Sequence, residues 1–188
     1  MESNKPQKLY TSIVVDPPWD INQKGNYGAI RHYDLMPLDR IKNMPVGDLA
    51  EENAACWLWV TNSTIEAGYD VLRAWGFSPK AILTWVKFRP QLGLGNYLRN
   101  DTEHVLLGIK GKLPIAVKNQ QSWLVAPTRE HSHKPEEFFA IFERCYPGPY
   151  LELFARRRHH PKYDVWGNEI ESDIRIPGYP VPKYKEGV

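Results

Sequence analysis

The chain has 188 residues, of which 42% are hydrophobic and 24% charged, and its formal net charge is only +2. A chain this long buries roughly 70% of its extended surface in one core, and this average composition excludes a disordered chain, a coiled coil and a collagen-like fibre. Nothing approaches the roughly 18 uninterrupted apolar residues of a membrane-crossing helix. Met1-Glu2-Ser3-Asn4-Lys5 lacks the apolar stretch of a signal peptide, and Cys56 and Cys145 are too few for a disulfide framework or a four-ligand zinc site. The reading is an intracellular, cytoplasmic protein without a membrane contact. Overall charge does not by itself announce a nucleic-acid binder. The 16 prolines and seven tryptophans point instead to shaped, aromatic-lined loops on a rigid scaffold.

Tyr10–Val15 reads as a buried strand that Asp16-Pro17-Pro18 ends, because proline cannot donate to a central ladder. Ala54–Val60 is a second strand, and any of Thr61, Asn62, Ser63 and Thr64 can cap the helix that follows. In that helix Ile65, Tyr69, Leu72 and Trp75 recur at helical spacing until Gly76 stops it. Ala81–Lys87 and His104–Ile109 are the third and fourth strands. Between them Phe88–Asp101 is too long for a tight turn, and loops of that length are commonly functional. Trp123–Val125 reads as a short strand, and Lys134–Tyr146 as a helix with Phe138, Ile141, Phe142 and Cys145 on one face. Tyr150–Phe154 is a further buried strand and Asp164–Trp166 a short last one. One domain then spans residues 1–170, and residues 171–188, with Pro177, Pro180, Pro182, Lys183 and Lys185, form an extended tail.

Strands alternating with helices predict an α/β fold, a mostly parallel sheet with helices on both faces. Ligands of such folds bind beyond the carboxyl ends of the strands. Those ends are Asp16–Trp19, Thr61-Asn62, Lys87 onward and Ala155–His160.

Asp16-Pro17-Pro18-Trp19 is the most informative segment. Two prolines stiffen the backbone directly after a buried strand, and neither carries an N–H that competes for a neighbouring carbonyl. A carboxylate, a carbonyl and an aromatic plane converge there, which suits a flat group with an exocyclic amine: two acceptors for its N–H groups and Trp19 against its ring. The same four residues also read as no more than a strand ended by a Pro-Pro turn.

Asp-Pro-Pro-Trp after an apolar strand resembles the signature of the MT-A-seventy family of adenine N(6)-methyltransferases. The group includes the catalytic subunit of the mRNA adenosine methyltransferase and bacterial and phage DNA-modifying relatives. Further matching segments are Trp57–Asn62, Glu103–Gly111, Ser132-His133-Lys134-Pro135, Leu151–Arg156 and Trp166-Gly167-Asn168-Glu169, in the family's order from Tyr10 to Glu169. The resemblance implies S-adenosylmethionine-dependent transfer to the 6-amino group of adenine. It also implies a Rossmann-like fold with circularly permuted motifs, the catalytic strand first and the cofactor strand, Leu151–Phe154, near the end. No G-x-G-x-x-G is needed there, and Gly93-Leu94-Gly95 lacks the strand–helix setting of one.

Carried over by position, Asp16 with the Pro17 carbonyl would hold the target amine, with Pro18 and Trp19 completing the catalytic corner. Asp16 would also lie near the donor's positive groups. Lys134 and Arg156 resemble the family's cations near the donor's carboxylate and ribose, and Asn168 and Glu169 its ribose ligands. Lys134 also reads as a helix start before Pro135, and Arg156–Arg158 as a solvated basic run. Tyr27, after Asp20–Asn26, resembles a gate loop, and Asn96–Asp101 a second substrate loop beside Glu103. Trp19, Tyr27, Asn62, Glu103, Lys24 and Arg99 form the expected substrate side; extruding a base from a duplex calls for such aromatics and cations. Arg31, Arg89, Arg129 and Arg156–Arg158 add candidate phosphate contacts, though each alone is equally ordinary surface charge. His131, His133, His159 and His160 lack an accompanying cysteine or H-x-x-x-H pattern, so no metal is expected.

Fifteen residues precede Asp16, fewer than in larger members, so either another loop is expected to close on the adenine end of the donor or donor affinity is expected to be modest. A domain of this size calls for a paired subunit, a homodimer or an already unstacked substrate. The leading expectation is an adenine methyltransferase of bacterial or phage type acting on DNA, preferred for compactness and the lack of RNA-binding appendages. The alternatives are an RNA adenosine methyltransferase, a protein or small-molecule amide methyltransferase of the kind that uses Asn-Pro-Pro-Tyr, and a silent nucleic-acid-binding partner subunit.

Overall fold

A computed structural model describes residues 8–20, 35–88, 97–129 and 133–181. Lys24, Tyr27, Arg31, Arg89, Gly93-Leu94-Gly95, Asn96 and His131 lie outside the described residues. Seven strands form one sheet in the order β5-β3-β4-β2-β1-β6-β7. They are β1 (Tyr10–Val15), β2 (Ala50–Val60), β3 (Ser78–Phe88), β4 (Thr102–Lys110), β5 (Trp123–Pro127), β6 (Tyr150–Leu153) and β7 (Tyr163–Trp166). Every pairing is parallel except those of β4, which runs antiparallel to β2 and β3. This mixed, mostly parallel sheet is the Rossmann-like architecture expected.

The helices are α1 (Leu38–Lys42), α2 (Ile65–Ala74) and α3 (Glu136–Cys145), with a 3₁₀ turn over Val46–Leu49. Ile41, Val71 and Leu72 belong to the core on one sheet face with Ile13, Leu58 and Leu106. On the other face Phe138, Phe142 and Cys145 pack on Trp57, Trp59 and Val105. Because both faces of β2 are covered, Ala54–Val60 is buried without alternation, as a central strand must be. Phe138 stands edge-on to Trp57 at 5.9 Å and to Trp59 at 4.8 Å, so α3 is keyed to the sheet by aromatic contacts.

Several boundaries differ from expectation for identifiable reasons. Helix α3 begins at Glu136, not Lys134, because Pro135 is extended (φ −69°, ψ 141°) and serves as N-cap. Strand β6 ends at Leu153 because Phe154 turns to φ 62°. Helix α2 stops before Gly76, whose φ of 82° favours glycine. The cap of α2 is Thr64, but its hydroxyl accepts the Thr61 N–H at 2.8 Å and does not bond into the helix. Helix α1 escapes sequence reading because five residues show too little period. Its place is fixed from outside, where Trp75 Nε1 donates to the Ile41 carbonyl at 3.0 Å.

Of the expected tail, residues 171–181 are described and 182–188 lie outside the described residues. Ile176 is buried, and Ile174, Tyr179 and Val181 pack on the same core as α2. The Tyr179 hydroxyl donates to the Arg40 carbonyl at 2.7 Å, and Asp173 accepts the Val165 N–H at 2.8 Å. Up to Val181 this segment packs on the core, and Tyr179 lies against Arg40 of α1.

Candidate active site

The parallel strands all end at one edge of the sheet, where antiparallel β4 begins. Val15, the last residue of β1, pairs with Leu58 on β2 and Leu153 on β6. Asp16 therefore emerges at the middle of this edge. Its N–H donates to the Leu153 carbonyl at 3.4 Å, which ties the corner to the cofactor strand.

The prolines are engaged differently from the sequence reading. The Pro17 carbonyl accepts the Trp19 N–H at 2.9 Å, and the Pro18 carbonyl accepts the Met36 N–H at 2.8 Å. A competing donor thus exists at Pro17, contrary to expectation, although a carbonyl retains a second lone pair for a ligand. Trp19 is half-buried; its Nε1 donates to the Trp59 carbonyl at 3.0 Å and its ring packs on the core. It pins the corner to the end of β2.

Lys134, just before α3, brings two sides of the site together. Its ammonium lies 3.1 Å from Asp16 Oδ2 and 3.0 Å from Glu103 Oε2, and 4.7 Å from the centre of the Trp59 ring. The other Glu103 oxygen accepts a short hydrogen bond from Lys87 at the end of β3. Burial works against the charged form of Glu103, yet Lys134 and Lys87 outweigh it and hold the carboxyl down to about 2. For Asp16 the balance reverses: burial raises its pKa, and Lys134 only partly offsets it. Lys134 is pushed up despite burial by these two carboxylates.

Beyond Glu103 lies a polar rim that the sequence reading caught at Asn62, Arg99 and, within the expected loop Asn96–Asp101, Asn100. His104 Nε2 contacts Asn62 Oδ1 at 2.7 Å, and His104 Nδ1 contacts the Thr84 hydroxyl at 3.0 Å. Burial pushes the His104 pKa down. Asn62 donates to Asn100 at 3.2 Å and Thr102 at 3.3 Å. Arg99 is exposed beside Tyr97 and Leu98, both also open to solvent. Lys87 was marked only as a strand end, and Thr84 and His104 were missed as site residues. Their only signal was alternation along two strands whose antiparallel register places Trp85 opposite Glu103 and Thr84 opposite His104.

On the other side of Asp16 a cleft is lined by Asp16, Lys134, Glu152, Phe154, Arg156 and Glu169, among others. Arg156 Nε lies 2.8 Å from Glu169 Oε1. The turns after β6 and β7 meet closely: a Cβ on Gly167 would fall 1.9 Å from the Ala155 carbonyl oxygen, so only glycine allows the approach that brings Glu169 beside Arg156. Asn168 itself is exposed. Glu152 is raised to about 8 by burial and by the neighbouring Asp16 and Glu136 carboxylates. Its Oε2 is buried and has no hydrogen-bond partner among the described residues. His159, stacked on Phe139 at 3.7 Å, lies 3.6 Å from the other Glu152 oxygen. Sequence reading missed Glu152 and Phe154, since a Glu inside a buried strand gave no sign of which face it took, and it placed His159 only within the strand end Ala155–His160.

This donor set fits a sulfonium zwitterion. Glu152 is a buried acid without a cation, Asp16 lies beside it, and Arg156 with Glu169 offers both an anion's partner and a diol's acceptor. Among the described residues, no group of three or more His, Cys, Asp or Glu side chains is placed to hold a metal ion. Nor is any helix of the described residues long and apolar enough to cross a membrane.

Residues 10–169 match the family model described as MT-A70. The chain is 32% identical over 172 residues to the "Putative N(6)-adenosine-methyltransferase MT-A70-like" protein of Medicago truncatula, covering 87% of this chain and 27% of that protein. It is 28% identical to the "N(6)-adenosine-methyltransferase catalytic subunit METTL3" of Homo sapiens, covering 94% of this chain and 31% of that protein. It is 27% identical to the "Type II methyltransferase M.MunI" of Mycoplasma sp, covering 92% of this chain and 83% of that protein. The chain thus spans about a quarter to a third of the length of its adenosine methyltransferase-like relatives. MT-A70 methyltransferases use S-adenosylmethionine as methyl donor. By the extent of the match and the order of the segments that line this cleft, the chain belongs to the MT-A70 family.

Proposed function

We propose that the protein is an S-adenosylmethionine-dependent methyltransferase acting on the 6-amino group of adenine in nucleic acid, with DNA the preferred polymer. The observation that carries this reading is the Asp16 carboxylate, held at the middle of the strand-end edge between an acceptor-rich rim and a cleft suited to a cationic donor. When bound, the donor supplies an electrophilic methyl group on positively charged sulfur.

The residues of this chain do the positioning. Asp16 accepts one amine N–H and the free lone pair of the Pro17 carbonyl accepts the other, which turns the nitrogen lone pair toward the methyl. An aromatic amine is a weak nucleophile, so aim and a preorganised acceptor site supply most of the acceleration. The amine's surplus proton leaves through Asp16 to solvent. Arg156, Glu169 and Asn168 hold the donor's polar groups, and Glu152, raised to about 8 in the free protein, ionises opposite the donor's positive charge when the donor binds. Asn62, Glu103 and Arg99 form the side open to the base and its backbone.

Support for DNA comes from the similarity, over 92% of this chain, to the Type II methyltransferase M.MunI. The RNA reading is favoured by the word adenosine in the names of the more similar relatives. A transfer assay with labelled donor on matched DNA and RNA oligomers decides between them. Asp16→Ala is expected to abolish transfer on either polymer while leaving the protein folded. Parent-like turnover by that variant, or label on a peptide and none on adenine, would falsify the reading.

A further inference from the structure

The chain of charges does not stop at the residues that face the cleft. Lys87, Glu103, Lys134 and Asp16 alternate in sign, and each is in contact with the next. Lys87 is largely buried at 15% side-chain exposure, as is Lys134. Both ammonium groups rest on tryptophan rings, Lys87 5.1 Å from the centre of Trp85 and Lys134 4.7 Å from the centre of Trp59. The two rings meet edge to face at 6.2 Å. Glu103 is therefore clamped between two cations whose own supports touch. The Lys87 N–H also donates to the Asp101 carbonyl at 2.8 Å, which fixes the backbone entering β4 just before Glu103.

We propose that Lys87 is a positioning residue of the methyl-transfer site: by holding one Glu103 oxygen it leaves the Lys134 ammonium shared with Asp16, and so keeps the Asp16 carboxylate charged and aimed. The proposal rests on the role of Asp16 given above. Without Lys87, Glu103 has Lys134 as its remaining partner and draws the ammonium away from Asp16. The groups facing this cluster are Arg156 and Glu152 from the β6 side and His104 from β4, with Glu136 and His159 further out beside Glu152. Arg156 pairs with Glu169, and His104 contacts Asn62 and Thr84.

The test uses the full chain carrying Lys87→Met, Lys87→Gln or Lys87→Arg, with thermal unfolding as the check on folding. Carbon-13 NMR follows the Asp16 carboxyl through an acid titration, its signal assigned by its loss in Asp16→Asn. Losing the outer cation is expected to raise the Asp16 midpoint by roughly one pH unit in the Met and Gln variants. Lys87→Arg restores the parent midpoint. In steady-state transfer, kcat falls about tenfold and the acidic limb of the pH profile moves up with the NMR midpoint, while KM for the oligomer changes little. Should Lys87→Met fail to fold, Lys87→Gln carries the same readings. A folded variant with an unmoved midpoint overturns the proposal, and so does a moved midpoint with kcat unchanged in an active enzyme. A parent that transfers no methyl group sinks the proposed function instead, and the NMR midpoint then still decides whether Lys87 sets the state of Asp16.

Discussion

Two glutamates stand on opposite sides of Asp16, Glu103 at the start of β4 and Glu152 inside β6. Both are deeply buried near the same strand-end edge, yet one carboxyl is held down to about 2 and the other raised to about 8. Burial pushes both upward. What separates them is company: Glu103 touches two lysines, while the neighbours of Glu152 are Asp16, Glu136 and a histidine. The difference teaches that one edge of the sheet holds two electrostatic regions. The β3–β4 side carries its own counter-cations, and the β6 side leaves an acid that only an incoming positive charge completes.

The sharpest way to break this comparison is to remove the shared cation. Lys134→Met leaves Asp16 and Glu103 with a buried partner missing, which costs about 3 kcal/mol. In thermal unfolding that corresponds to a fall of about 10 °C in Tm for a chain of this size. A Tm within about 2 °C of the parent would mean that the bridge does not organise the site.

A second experiment isolates the β6 side. A carboxyl whose folded pKa lies above its ordinary 4.5 stabilises the protein fully below 4.5, and that contribution is lost as pH rises toward about 8. Glu103 behaves in the opposite sense: its contribution is present above 4.5 and disappears as pH falls toward about 2. Glu152→Gln should therefore flatten the alkaline decline, gaining a few kcal/mol on the parent at pH 9 compared with pH 5 in denaturant titrations. Parallel curves for parent and variant would show that Glu152 is not held protonated. Calorimetry should further show weaker binding of the cationic donor to this variant.

The smallest effect on stability is expected at the exposed end of the cleft. Arg156 and Glu169 are 39% and 46% exposed, so solvent screens their pair. Glu169→Gln should change stability by less than about 1 kcal/mol. Its effect belongs in donor affinity, expected to drop roughly fivefold in calorimetry as one acceptor of the ribose diol is weakened. A large loss of stability with unchanged affinity would reverse the assignment.

The sequence was most legible where one local cause sufficed. Tyr10–Val15 is a strand with the expected bounds because β-branched residues run straight into a Pro-Pro stop. Helix α3 showed its buried face through Phe138, Ile141, Phe142 and Cys145, all of which are in the core. Asp16 and Arg156 were marked by their places at strand ends, and Lys134 and Glu169 only by the family resemblance; all four line one cleft. Helix α1 and the docking of Ile176 and Tyr179 were not legible, since their stability comes from surfaces distant in the chain.

Sequence by itself determined the strands, helices α2 and α3, the mostly parallel arrangement and the edge at which chemistry collects, because strand patterning and proline stops act over a few residues. Tertiary structure decided which charges meet. Lys87 is 16 residues from Glu103 and Lys134 is 31, and only the antiparallel register of β4 and the approach of α3 make them one cluster. Coulombic interaction depends on distance in space and on exclusion of water, and neither is written in the order of residues.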